Sequence, residues 1–210
     1  MAELVEIAVP HLESARRAMV SFGQGCEGEP LVEADLVARA IRAIRRRTQR
    51  GTIHLNTNGG RPAAVARLIA AGLDSIRVSL CSAREPLYLA YHRAEAHGLA
   101  EAAASLRLAA EAGLWTSINY LVFPGVTDRE EELEAFLGLI RETHADMVQM
   151  RNLSIDPELY LRTVPPARGK CVGIRAVCRA IRREFPQVEI GYFNRPKELF
   201  GTRLCETLVF

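Results

Sequence analysis

The chain has 210 residues, of which 49% are hydrophobic and 25% charged, a composition typical of a globular protein long enough to bury one α/β core. Its formal net charge of +2 does not provide the clearly basic surface that nucleic-acid binding usually needs. No stretch is long and apolar enough to span a membrane, and no secretory signal follows Met1. We therefore expect a cytoplasmic protein with neither nucleic-acid nor membrane partners.

The number and spacing of the cysteines argue against a disulfide framework and against the commoner metal sites built from cysteine. The five cysteines are Cys26, Cys81, Cys171, Cys178 and Cys205. Their odd number and wide spacing favour reduced thiols over a disulfide framework. Because no two of them have CxxC spacing, the sequence shows neither a zinc knuckle nor a self-contained iron–sulfur motif.

Strands and helices are predicted to alternate along the whole chain, after a short amphipathic helix near 3–16 that contains Pro10. Strands are predicted at about 18–23, 52–57, 74–80, 114–122, 146–152 and 188–193. Helices are predicted at about 31–48, 62–72, 84–92, 99–112, 127–143 and 171–184. Thr127-x-x-Glu130 reads as a capping box at the start of one helix. Pro62 marks the start of another helix, and Gly72 marks its end. Strict alternation in one domain, residues 1–210, predicts an α/β fold with a parallel sheet.

The predicted strands have one apolar and one polar phase. The apolar phase holds Ile53, Leu55, Ile76, Val78, Leu80, Val148 and Met150. The polar phase holds His54, Asn56, Arg77, Ser79, Cys81, Ser117, Asn119, Gln149 and Arg151. Sheets covered by helices on both faces are apolar in both phases, so this pattern favours a barrel, or part of one, with a polar interior that carries a ligand.

Glycine and polar residues follow several strands, where parallel sheets and α/β barrels place their ligand sites. Gly25-Cys26-Glu27-Gly28-Glu29-Pro30 follows the first strand, and Thr57-Asn58-Gly59-Gly60 follows the second. Glycine lets the backbone approach a ligand closely, and a carboxylate can accept from an ammonium group. An ordinary strand–helix turn explains each motif equally well.

Other side chains of the polar phase also have two interpretations. Arg77, Gln149 and Arg151 are costly to point into a barrel without partners, and a ligand carboxylate or an internal salt bridge would satisfy them equally well. His54 is the histidine placed to face a ligand. Cys26 and Cys81 lie at strand ends as candidate nucleophiles, but neither has an evident base nearby in sequence.

Taken in order, these motifs resemble the radical S-adenosylmethionine (SAM) superfamily over residues 18–153. The set consists of the GGEP-like turn at 25–30, Thr57-Asn58-Gly59, the polar end of the third strand, and Asn119-Tyr120-Leu121-Val122-Phe123-Pro124-Gly125. The resemblance implies a partial (βα)₆ barrel of TIM-like type that binds SAM and a 4Fe–4S cluster. It also implies reductive cleavage of SAM to a 5′-deoxyadenosyl radical, which takes hydrogen from an unknown small-molecule or peptide substrate. A protein reductant such as flavodoxin or ferredoxin would supply the electron.

The resemblance also assigns site residues. It places the SAM amino group at Glu27, Gly28 and Glu29, and the remaining SAM contacts at Thr57, Asn58, Ser79 (the ribose), Asn119 and Val122. It directs the inward side chains of His54, Arg77, Gln149 and Arg151 toward SAM or the substrate. It identifies no metal ligand in this chain.

One family feature has no counterpart here. The family holds its cluster through a CxxxCxxC loop after its first strand, which should precede residue 18, and no cysteine precedes Cys26. We therefore expect a radical SAM core that lacks its first βα unit, a fragment inactive on its own, with 154–210 as a C-terminal extension. The alternatives are a cluster-free barrel that binds SAM or a nucleoside, and an ordinary α/β barrel enzyme that uses Cys81 or His54.

Overall fold

A single parallel sheet organises the molecule in the computed structural model, which describes residues 2–23, 28–166, 168–191 and 193–202. Its six described strands lie in chain order, β1-β2-β3-β4-β5-β6, and every neighbouring pair is parallel. Their bounds are β1 Met19–Phe22, β2 Thr52–Thr57, β3 Ser75–Leu80, β4 Trp115–Val122, β5 Met147–Asn152 and β6 Glu189–Gly191. The predicted parallel α/β fold is therefore confirmed.

Helices connect the strands. They are α1 Ala2–Ser14, α2 Ala34–Arg45, α3 Pro62–Ala71, α4 Glu85–His92, α5 Leu99–Glu111, α6 Glu130–Thr143, α7 Pro157–Thr163 and α8 Ile174–Glu184. Pro62 begins α3 as predicted, because proline lacks the N–H that a first helical residue would leave unpaired. Gly72 ends it with φ +107°, a conformation that glycine adopts without strain. None of the described helices is both long and apolar enough to cross a membrane.

The two predicted faces of the sheet are present. Ile53, Leu55, Ile76, Val78 and Val148 are all fully buried in the main apolar core with the helices. On the other face Arg77 Nη1 donates to Gln149 Oε1 at 2.9 Å. Because β4 lies between β3 and β5, this bond spans two strand spacings of about 4.8 Å, as side chains do across the inside of a curved sheet.

Three local predictions are wrong. The Thr127-x-x-Glu130 capping box does not form, because Thr127 Oγ1 instead accepts from Phe123 N at 2.8 Å and α6 begins at Glu130 without a side-chain cap. The segment between the strand predicted at 146–152 and the helix predicted at 171–184 is expected from sequence to be a long loop carrying Pro157, Pro165 and Pro166, but it contains helix α7, which Asp156 caps by accepting from Leu159 N at 2.9 Å. Cys81 does not lie on the predicted polar face, because β3 ends at Leu80 and the Cys81 side chain packs in the apolar core.

A base segment, defined as residues 193–202, covers the amino end of the sheet. The Arg195 guanidinium lies 4.9 Å from the ring centroid of Trp115, the first residue of β4. Lys197 N donates at 2.7 Å to the hydroxyl of Thr52, the first residue of β2. The polar interior between the described elements therefore opens at the carboxyl ends of the strands, where the sequence motifs lie.

Candidate functional site

A pocket of about 260 Å³ lies at the carboxyl end of the sheet. The first two strand ends supply one wall, formed by Gly23, Gly28, Glu29, Pro30, Asn56, Thr57 and Asn58. The next three strands supply the opposite wall, formed by Arg77, Ser79, Asn119 and Arg151. Residues separated by more than a hundred positions in sequence are thus brought together, as the parallel topology requires.

Glu29 ties the turn after β1 to the end of β2. Its carboxylate accepts from Leu31 N at 3.0 Å, from Thr57 Oγ1 at 2.5 Å and from Asn58 N at 2.7 Å. Both oxygen atoms of Glu29 are therefore engaged by the protein. This places Glu29 and Thr57 in the pocket rim, where they determine its shape.

Gly23 and Asn56 lie close together in that wall. Gly23 has φ +81°, and a Cβ atom at this position would lie 2.3 Å from the Asn56 carbonyl oxygen. Asn56 Nδ2 donates to the Gly23 carbonyl at 2.6 Å. Because a side chain at residue 23 would both strain the backbone and collide with β2, the wall requires glycine at this position.

Ser79 and Asn119 form the centre of the opposite wall. Asn119 Nδ2 donates to Ser79 Oγ at 2.9 Å. Asn119 Oδ1 is buried, and no described residue donates to it. A buried acceptor without a donor costs free energy, so this carboxamide is suited to a ligand that brings an N–H or O–H group.

Two arginines line the pocket near its floor and rim. Arg77 Nη1 donates to Gln149 Oε1 at 2.9 Å and to Asn194 Oδ1 at 2.8 Å. Gln149 Nε2 in turn donates to the Phe193 carbonyl at 2.6 Å, so Gln149 lies beneath the pocket against the base segment. Arg151 extends from β5 and is exposed at the rim.

His54 lies below the pocket wall. Its side chain is buried, with Nδ1 2.7 Å from Ser75 Oγ and Nε2 3.1 Å from Asn56 Oδ1. Burial, reinforced by the nearby Arg77 guanidinium, lowers the pKa of His54 to about 4. The ring is therefore neutral at physiological pH and is held between two neighbouring side chains.

The structure gathers eight of the twelve predicted site residues around the pocket, namely Gly28, Glu29, Thr57, Asn58, Arg77, Ser79, Asn119 and Arg151. His54 and Gln149 lie one layer deeper. Val122 shares the apolar phase of Ile118 and Tyr120 and is buried on the helix side. Glu27 lies outside the described residues.

Sequence reasoning missed three lining residues, Gly23, Pro30 and Asn56. A signal existed for Asn56, which lies in the polar phase directly before the Thr57-Asn58-Gly59 turn. The position of Gly23 at a strand end gave a weaker signal, because a terminal glycine is also common in ordinary turns.

The described residues do not fit an iron–sulfur cluster. They contain no group of three or more His, Cys, Asp or Glu side chains able to hold a metal ion. Burial, with a further effect of Glu132, raises the pKa of the Cys81 thiol to about 12, whereas cluster ligation requires thiolate. Cys26 and Cys205 lie outside the described residues. The polar strand-end pocket, where no described residue donates to the buried Asn119 Oδ1, does fit an amino-acid nucleoside such as SAM.

The family model of the Radical SAM superfamily matches residues 3–137, well over half of the chain. No curated protein matched the chain.

Solved structures with the same fold include three that illustrate the match. HydG, a maturase of the [FeFe]-hydrogenase, is 16% identical with a TM-score of 0.61, and the match covers 90% of this chain and 44% of HydG. A domain of pyruvate-formate lyase-activating enzyme from Bacteroides vulgatus is 14% identical with a TM-score of 0.59, over 82% of this chain and 98% of that domain. SuiB from Streptococcus suis, solved bound to S-adenosylmethionine, is 15% identical with a TM-score of 0.59, over 92% of this chain and 43% of SuiB.

The chain therefore spans less than half the length of HydG and of SuiB. At these identities the structural matches show the fold, a parallel α/β sheet of the partial TIM-like barrel type. Membership rests on the family model, which covers most of the chain, including the first four strands. The chain belongs to the radical SAM superfamily.

Proposed function

We propose that the strand-end pocket binds SAM and that this chain is the SAM-binding core of a radical SAM enzyme. The observation that carries the proposal is the convergence on one polar pocket of residues from five successive strand regions. Most of these residues are also those that the sequence motifs assign to SAM or the substrate. The SAM-bound state of SuiB, which has the same fold, supports the choice of ligand.

Each wall of the pocket has a distinct task in this proposal. Asn119 Oδ1 accepts from a hydroxyl or amino group of the adenosine half, and Ser79 holds the Asn119 carboxamide in place. The glycines of the opposite wall allow main-chain carbonyls to approach the ammonium group. Arg77 and Arg151 provide positive charge toward the carboxylate of SAM or of the substrate.

SAM bound in this way would supply, on one-electron cleavage of its C5′–S bond, methionine and a 5′-deoxyadenosyl radical that takes hydrogen from the substrate. The described residues do not fit the cluster that delivers the electron, and the 210-residue sequence contains no CxxxCxxC motif. We therefore propose that the cluster ligands belong to another polypeptide segment, with a flavodoxin or ferredoxin as reductant. On this account the 210 residues bind SAM but do not cleave it.

SAM titration by NMR or calorimetry tests the binding step. Asn119→Leu should weaken affinity roughly tenfold, since it removes about one ligand-directed hydrogen bond. Ser79→Ala should also weaken affinity, because it removes the hydroxyl that holds the Asn119 carboxamide in place. Ser117→Ala is the matched control, because Ser117 lies on the same face of β4, one layer below the pocket. Absence of SAM binding by the unaltered chain, or unchanged affinity in Asn119→Leu, would contradict the proposal.

The cluster step needs a separate test. We would sequence the DNA upstream of the Met1 codon and assay 5′-deoxyadenosine after anaerobic iron–sulfide reconstitution. A CxxxCxxC segment whose addition switches on 5′-deoxyadenosine formation is the expected result. Tight SAM binding by the 210-residue chain without iron, with no such cysteines upstream, would instead favour the cluster-free SAM- or nucleoside-binding barrel.

A further inference from the structure

A chain of hydrogen bonds runs along the inner face of β1, β2 and β3 beneath the pocket. Ser75 Oγ lies 2.7 Å from His54 Nδ1, and His54 Nε2 lies 3.1 Å from Asn56 Oδ1. Asn56 Nδ2 donates to Ser21 Oγ at 2.9 Å and to the Gly23 carbonyl at 2.6 Å. A buried imidazole is thereby connected to a main-chain carbonyl in the pocket wall.

The chemistry of these groups allows one arrangement of protons. A carbonyl oxygen can only accept, so Asn56 must direct its amino group at Gly23 and its Oδ1 at His54. Oδ1 also only accepts, so His54 carries its proton on Nε2. His54 Nδ1 then holds a lone pair and accepts from the Ser75 hydroxyl. A neutral imidazole with Nε2–H therefore gives a partner to both ring nitrogens of His54, to Asn56 Oδ1 and to the Ser75 hydroxyl.

We propose that His54 is a positioning residue, whose Nε2–H fixes the Asn56 carboxamide so that it holds the Gly23 carbonyl in the pocket wall. The proposal rests on the proposed function only in naming SAM as the molecule that uses this wall. In this proposal His54 does not contact the ligand itself, because both ring nitrogens are hydrogen-bonded within the protein.

Gly23 also lies close to the main chain of β2. A Cβ on residue 23 would lie 2.3 Å from the main-chain carbonyl oxygen of Asn56. In sequence Gly23 leads directly into residues 24–27, which begin the turn expected to meet the SAM amino group. Without Nε2–H, Asn56 Oδ1 loses its donor, and the carboxamide becomes free to rotate away from Gly23.

The test compares two His54 variants. The amide nitrogen of His54→Gln can reach the Nε2 position and donate, whereas His54→Leu has similar bulk and no donor. We expect His54→Leu to bind SAM roughly tenfold more weakly and His54→Gln to stay within about twofold. Amide hydrogen exchange of the peptide 19–33 should accelerate in His54→Leu and remain unchanged in His54→Gln.

A double variant separates positioning from general destabilisation. If His54 acts through Asn56, the His54→Leu/Asn56→Leu variant binds SAM no more weakly than Asn56→Leu alone. Additive losses, or exchange in His54→Leu equal to that of the unaltered chain, would overturn the proposal. If the unaltered chain fails to bind SAM, the proposed function fails, and the exchange comparison still decides the role of His54.

The unaltered protein provides a further measurement in case the leucine variants do not fold. Nitrogen-15 NMR of the histidine rings distinguishes the two neutral tautomers. A protonated Nε2 and an unprotonated Nδ1 on His54 are expected. A His54 ring protonated on Nδ1 would refute the proposed arrangement.

Discussion

Burial separates the chemistry of two side chains at the end of β3. Ser79 faces the pocket and accepts from Asn119, whereas Cys81, two residues later, lies in the apolar core. Removal from water disfavours thiolate, so burial raises the pKa of Cys81 to about 12. Cys81 is therefore unsuited to be the nucleophile of an ordinary barrel enzyme, one of the alternatives that the sequence left open.

Alkylation rates test this difference. Because the reactive species is thiolate, iodoacetamide at about pH 8 should modify exposed Cys171 readily and Cys81 only after the chain unfolds. Peptide mass spectrometry with and without denaturant measures both sites. Equal labelling of Cys81 and Cys171 in the folded protein would show that the Cys81 environment is more open than described.

His54 also makes stability depend on pH. Its pKa is about 4 in the folded chain and 6.5 when unperturbed, so between these values the unfolded state binds more protons. The contribution of neutral His54 to the free energy of unfolding is fully present above pH 6.5 and is lost as pH falls toward 4. This contribution amounts to about 3 kcal/mol at most. His92, whose pKa is lowered to about 4 chiefly by burial, acts in the same direction.

Denaturant titrations across this pH range measure the effect. The free energy of unfolding of His54→Gln should fall less between pH 7 and 4 than that of the unaltered chain, because glutamine does not titrate. His11→Gln, at an exposed position on α1, is the control for the replacement of a histidine by glutamine. Parallel curves for His54→Gln and the unaltered chain would mean that His54 titrates normally.

At the scale of elements, Glu132 connects α6 to two strands. Its buried carboxylate accepts from the Tyr120 hydroxyl of β4, from Ser82 Oγ at 2.7 Å and from Ala83 N at 2.7 Å, just beyond β3. Three donors in the core share this one side chain. A helix is thereby held against the sheet directly behind the Ser79–Asn119 wall.

Substitution of Glu132 should therefore be costly. Glu132→Ala leaves the Tyr120 hydroxyl and Ala83 N without an acceptor and removes the shorter of two hydrogen bonds from Ser82 Oγ, so it should lower the free energy of unfolding by about 3 kcal/mol. Glu132→Gln retains one oxygen and should cost about 1 kcal/mol. Chemical denaturation measures both, and an alanine variant as stable as the glutamine variant would remove the claimed role.

Element positions could be predicted from sequence where a single local signal dominates. The alternating phases of β2 and β3 and the proline and glycine at the ends of α3 are such cases. Prediction failed at Thr127, because the hydrogen-bond partner of its side chain depends on neighbouring structure. It failed at Cys81 because the point at which β3 ends also depends on neighbouring structure. The Gly23–Asn56 contact was equally invisible, because it requires knowing how close two strand ends approach.

At the scale of the whole molecule, the base segment closes the end of the sheet opposite the pocket. The Arg195 side chain is fully buried, stacks on Trp115 and donates to Glu189 and to the Leu199 carbonyl, the latter at 2.7 Å. Asn194 in the same segment accepts from Arg77 of the pocket. The segment thus links the amino end of the sheet to the floor of the site.

Loss of Arg195 should destabilise the whole chain. Arg195→Ala leaves the Glu189 carboxylate unpaired and removes the packing on Trp115, at a cost of roughly 2–4 kcal/mol. Arg107→Ala breaks an exposed ion pair with Glu142 and should cost less than about 1 kcal/mol. Thermal unfolding of the two variants compares them, and equal melting temperatures would argue against a structural role for the base segment.

The most direct test of the account is a crystal structure of this chain determined with SAM. We expect the adenosine half beside Ser79 and Asn119, with a donor of SAM on Asn119 Oδ1, and the amino group against the wall that contains Gly23 and Gly28. SAM bound elsewhere, or an Asn119 carboxamide without a ligand contact in a SAM-bound crystal, would contradict the assignment of the strand-end pocket.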